Sequence, residues 1–129
     1  MSFKTDLIAL LIPRFNNGDV FITVTPDGYN QRYAFGILQG VGGDVRMYVD
    51  QSLPDLIHRR VQVWIWGEDL LEVEAKMELV YATLLGSIND PLTRFVGVEP
   101  KGGPTDDYND VLKLHGTRQD FGIHWKYPV

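Results

Sequence analysis

Acids and three histidines are the first candidates for reaction chemistry in this chain, which contains no cysteine. That absence removes thiolate nucleophiles, thiolate zinc sites and disulfides together, and it fits a reducing compartment. A metal needs ligands that converge. His115 and His124 are separated by an odd number of residues, so a regular strand places them on opposite faces unless a bulge shifts the parity. Together with His58, they are expected to be surface or hydrogen-bonded side chains. Asp106, Asp107 and Asp110 lack the spacing of an EF-hand, and the glutamate such a loop needs at its twelfth position is missing. The glycine-rich QGVGGD at 39–44 has neither dinucleotide nor P-loop spacing, and a strand-like segment follows it where those motifs need a helix. No Ser or Lys stands in a nucleophile motif. The residues predict no metal, no cofactor and no catalytic centre. An enzyme reading reduces to His58, His115 or Asp120 in a deep cleft with convergent polar groups.

The remaining candidates for function are aromatic and charged. In RVQVWIWG (60–67), Val61, Val63 and Ile65 alternate with Gln62, Trp64 and Trp66, so neither face is simply wet. Two indoles on one face either form a second core beneath a short first helix or pack against another subunit, where tryptophan is enriched. Arg59, on the same strand, is available to pair with an acid on a neighbouring subunit's helix. Glu72, Glu74 and Glu78 are the acids expected there. A second contact region is EPKGGPTDDYND (99–110), which holds two prolines, two glycines and four acids. Too little of it is apolar to offset backbone ordering, so a mobile loop is expected, with Glu99, Lys101, Asp106, Asp107 and Asp110 becoming ordered on a partner.

The elements that must position these residues follow from periodicity. Thr5 or Ser2 can cap a short helix that ends near Ile12, where Pro13 disfavours continuation. Strands are expected over 20–25, 32–39 and 45–50, with turn chemistry between them. After the 60–66 strand, Gly67 breaks the extended run, and Asp69 with Glu72 resembles a capping box. Leu70, Val73, Met77, Val80, Leu84 and Ile88 then repeat at helical spacing, broadened by Tyr81 and Leu85. With Gly86 as a stop, the helix is about sixteen residues, or roughly 24 Å. A strand over 92–98 and a long closing strand within 111–128, bent at Gly116, complete the chain. The fold class expected is α+β, a mixed or antiparallel sheet packed with one long and one short helix. Val61, Val63 and Ile65 are expected to pack on Val73, Met77, Val80 and Leu84.

Composition bounds the rest. The 129 residues, 44% hydrophobic and 22% charged, suit a single domain over 1–129. A net charge of −5 argues against a dedicated nucleic-acid binder. The six-residue apolar run 7–12 is too short for a membrane span and is followed by no small-residue cleavage site, so a soluble, unprocessed chain is expected.

Taken in order, the short first helix, YAFGILQG (33–40), RVQVWIWG running into EVEAKMELVYATL (72–84), and QDFGIHW (119–125) resemble the tail-completion, or tail-terminator, proteins of long-tailed bacteriophages. The resemblance covers nearly the whole chain but not the 39–44 and 99–110 segments. It implies a structural virion protein, not an enzyme: a homo-oligomeric ring, typically of six copies, that stops tail-tube growth. Its implied partners are the tail-tube protein and the head-side connector or neck protein, with genomic DNA passing through unread and no membrane involved. The implied location is the virion neck, after assembly in the host cytoplasm. A closed ring needs two unlike contacts per subunit. A head-completion or tail-tube protein of the same assembly is the alternative.

Overall fold

The computed structural model describes residues 3–15, 18–22, 34–40, 56–88 and 95–126. Its elements are α1 (Phe3–Leu11), a 3-10 turn (Ile12–Arg14), β1 (Val20–Ile22), β2 (Phe35–Gly40), β3 (Leu56–Gly67), α2 (Leu70–Ser87), β4 (Phe95–Asn109) and β5 (Leu114–Lys126). The sheet runs β1-β2-β3-β5-β4. It is mixed, because β1 and β2 are parallel while every other pair is antiparallel. The class is α+β, with one long helix and a short N-terminal one.

The core is the odd-numbered face of β3 and β5. Val61, Val63 and Ile65 are buried with Phe121 and Ile123, and Val73, Met77, Val80 and Leu84 of α2 close over them. Each such side chain contributes roughly 1.5–3 kcal/mol by leaving water. The ends of the α2 stripe overrun this core: Leu70, Leu85 and Ile88 are exposed. Asp69 caps α2 by accepting from the Leu71 amide, as expected. Glu72 has a different task, for its carboxylate accepts from the Ala34 amide at 2.7 Å and pins the start of β2 to α2. The helix runs through Gly86 to a cap at Ile88, giving 18 residues. Gly86 is not in the left-handed conformation of a glycine stop, so the helix continues past it.

Three expectations need correction. Thr5 lies inside α1 and does not cap it, the alternative cap Ser2 lies outside the described residues, and Pro13 sits in the 3-10 turn that follows. The α1 helix does not cover the tryptophans. Phe3, Leu7 and Leu11 join the same core as α2, and the Trp125 indole, on the odd face, donates to Asp6 at 2.8 Å. Both helices therefore share one face of the sheet. Third, 99–110 is no loop: it is most of β4, paired with β5 apart from an irregularity between Lys101 and Thr105. Pro, Gly and acids are tolerated because β4 is an edge strand whose partner supplies its hydrogen bonds from one side only. Arg59 pairs in register with Ile123 and so lies by alternation on the helix-bearing face, with Val61, Val63 and Ile65. The expected strand over 45–50 and residues 41–44 of the glycine-rich segment lie outside the described residues.

Candidate interaction surface

The even-numbered face of the sheet carries the tryptophans. Twelve consecutive pairs join β3 to β5 without a bulge, setting Trp66 opposite Gly116, Trp64 opposite Arg118 and Gln62 opposite Asp120. The indoles stack with centroids 5.2 Å apart and planes 8° from parallel. Arg118 lies over the Trp64 ring at 5.3 Å, a cation–π contact. The Trp64 indole N–H donates to Gln62 Oε1 at 2.8 Å, Gln62 donates on to Asp120 Oδ1 at 3.3 Å, and Arg60 holds Asp120 Oδ2 at 3.0 Å. This chain of polar contacts fixes the rings while leaving both only half-buried. No described helix lies on them.

Two glycines make this surface possible. A Cβ on Gly116 would come within 2.5 Å of the Trp66 ring, and one on Gly122 within 2.8 Å of His58 Nε2 and of Lys101 Cε. Beside Gly122, His58 and His124 stack at 4.7 Å. His115 faces the other way against Tyr108, so the predicted opposition of His115 and His124 holds. Glu99 pairs with Lys101 at 3.0 Å. The hydrogen bond and charge of Lys101, with smaller help from His124 and His58, hold the Glu99 carboxyl below its ordinary range.

Of the expected contact residues, the structure unites Trp64 with Trp66 and Glu99 with Lys101. It separates Arg59 from the indoles and gives Glu72 an internal partner. Glu74, Glu78, Asp106, Asp107 and Asp110 are exposed. Sequence reasoning missed the Gln62–Asp120–Arg60 network and Arg118, whose signal was the glycine spacing in β5, a mark of close cross-strand approach. It also missed Gln119, wholly buried, which accepts from the Tyr81 hydroxyl and donates to the carbonyls of Gly102 and Asp120. Gln119 thus satisfies the irregular turn of β4 from inside the core, and burial pushes the Tyr81 phenol up.

Elsewhere, the β4–β5 hairpin ends in a turn that exposes Val111 and Leu112. A shallow apolar cleft, open to solvent, lies between α1 and the β1–β3 strands, lined by Phe3, Leu7, Ile22, Leu38 and Val61 with Lys4 at its edge. His58, His115 and Asp120 do not line that cleft. Among the described residues no three His, Asp or Glu side chains converge as metal ligands, and no helix is long and apolar enough to cross a membrane.

No family model matches the chain, and no curated protein does. Among solved structures, it is similar to a chain in the virion of a native gene transfer agent particle, with a TM-score of 0.57 and 15% identity over 94% of this chain and 84% of that one. At this identity, what the two share is the fold. The particular contacts of that virion chain belong to that particle alone.

Proposed function

We propose that this chain is a structural virion protein of a phage-like particle, acting by assembly and not by catalysis. The observation that carries this reading is the fold shared along 94% of its length with a virion chain. The resemblance of its strand–helix block to tail-terminator proteins refines it. The chain forms a closed ring, of six copies by that resemblance, which ends tail-tube growth and joins the tail to the head-side connector.

The half-buried Trp64–Trp66 stack lies at or near a subunit boundary, because partly accessible indoles on a rigid sheet face are suited to becoming anchors in an interface. Arg59, exposed on the helix-bearing face, and Glu74 and Glu78 on α2 are charged rim groups that steer association more than they add affinity. DNA passes the ring without base readout, in keeping with a net charge of −5.

The test is to introduce Trp66→Ala and Arg59→Glu into the particle, confirm folding by thermal melts, and inspect tails by electron microscopy. Tails of uncontrolled length, or tails unattached to heads, are expected for Trp66→Ala. Folded variants that cap tails normally overturn the interface assignment. Location of the chain within the tube or inside the head would favour the tail-tube or head-completion alternative.

A further inference from the structure

The most exposed large apolar side chain among the described residues, Val111, sits in a turn held by side-chain hydrogen bonds. Val111 is 88% exposed and Leu112 51% exposed at the tip of the β4–β5 hairpin. The tip is not slack. Asn109 Oδ1 accepts from the amides of both Val111 and Leu112 at 3.0 Å, and Lys113 takes a φ of 58° to complete the reversal. A turn fixed in this way presents two aliphatic groups with little ordering left to lose on binding. Tyr108, also exposed, extends the apolar surface along β4.

The apolar cleft between α1 and β1–β3 is the complement. It is shallow and open to solvent, and its lining is almost wholly apolar, so it offers aliphatic side chains a surface to pack on. The charges also match. Asp106, Asp107 and Asp110 precede the tip and outnumber Lys113 after it, whereas exposed Lys4 stands at the cleft. Among the described residues neither Lys4 nor Asp110 makes an ion pair.

The two features lie at opposite corners of the sheet. The tip extends from the β4 edge beyond the Gly67–His115 pair, and the cleft lies on the β1–β2 side near the Gly40–Val61 pair. Their separation along the strands alone is roughly 20 Å at ~3.3 Å per residue, so a copy cannot fill its own cleft. Edge-to-edge strand addition at β4 is opposed by Pro100 and Pro104, leaving side-chain insertion as the means of contact.

We propose that the Val111–Leu112 tip of one copy seats in the α1–β1–β2 cleft of a second copy, with Asp110 against Lys4, joining copies head to tail. The contact is heterologous, and repetition closes a ring when the rotation per copy permits. For that closure alone it rests on the ring reading above.

The absence of native cysteine makes the test direct. Val111→Cys and Gly40→Cys are made as separate proteins; a side chain at Gly40 meets nothing within 4 Å. Mild copper–phenanthroline oxidation of the mixture is expected to give a disulfide heterodimer, with each variant alone remaining mostly uncross-linked. The doubly substituted protein is expected to give a ladder that stops at the ring's copy number. Val111→Asp should weaken self-association by about tenfold or more, read by analytical ultracentrifugation. Lys4→Glu and Asp110→Lys should each weaken it and together restore it. A ladder without a final rung would uphold the tip contact while sinking the closed ring. A closed oligomer by native mass spectrometry without a mixed cross-link would sink the contact and leave the ring. Tip-to-tip dimers of Val111→Cys, or no mixed cross-link in any state, would overturn the proposal.

Discussion

At the scale of single residues, the tryptophan surface depends on a side chain that is missing. Trp66 occupies the space above Gly116 so closely that even a methyl group must displace the ring, and with it the stack on Trp64 and the Arg118 contact. Gly116→Ala is therefore expected to destabilise the protein by about 1–3 kcal/mol, the usual range for overpacking. In a Trp66→Ala background the same substitution should cost less, by at least ~0.5 kcal/mol, because the clash partner is gone. Urea denaturation of the four proteins measures both numbers, and strict additivity would show that Trp66 does not lie over Gly116. In sequence this glycine suggests only a bend. Its cross-strand neighbour, Trp66, belongs to a different element, and nothing local names it.

At the scale of elements, β4 shows how an edge position overrides composition. Its first part packs Phe95 into the core, while beyond Lys101 nearly every residue is exposed. Such a segment would not hold as a central strand. Pairing with β5 and the bond from buried Gln119 to the Gly102 carbonyl hold it instead. Hydrogen exchange should therefore show protection at alternate β4 amides, those facing β5, on both sides of residues 102–104, with faster exchange at the Gly102 and Gly103 amides. Uniformly rapid exchange through 99–110 would restore a mobile loop. The helix α2 is the opposite case. Its cap and its central stripe of Val73, Met77, Val80 and Leu84 are local, periodic and found where the spacing puts them.

At the scale of the molecule, both helices on one face leave the other face of the sheet without a helical layer among the described residues. The molecule then offers a stacked aromatic surface, an apolar cleft and a projecting tip, all different from one another. Unlike surfaces are what head-to-tail assembly requires. If insertion of Val111 and Leu112 supplies the affinity and Asp110–Lys4 the steering, salt should separate the two. Raising ionic strength from about 0.05 M to about 0.5 M is expected to slow association several-fold while changing the dissociation rate little, because screening acts on exposed charges and not on buried apolar contacts. Stopped-flow mixing and dilution measure the two rates. A dissociation rate that rises with salt as steeply as the association rate falls would assign the affinity to charge instead.

By itself the sequence determined what local spacing can determine: the α+β class, the β3–α2 unit, the inward set Val61, Val63 and Ile65, and the pairing of Trp64 with Trp66 on the reverse side. Period-two and helical repeats encode these within a few residues, and burial enforces them. Only the tertiary structure decided which face α1 covers, that Glu72 serves β2, and that 99–110 is a strand. It alone brought Gln62, Asp120, Arg60 and Arg118 around the indoles. Each of these depends on pairing between segments distant along the chain, whose register is set by the sheet as a whole and leaves no periodic trace in either segment alone.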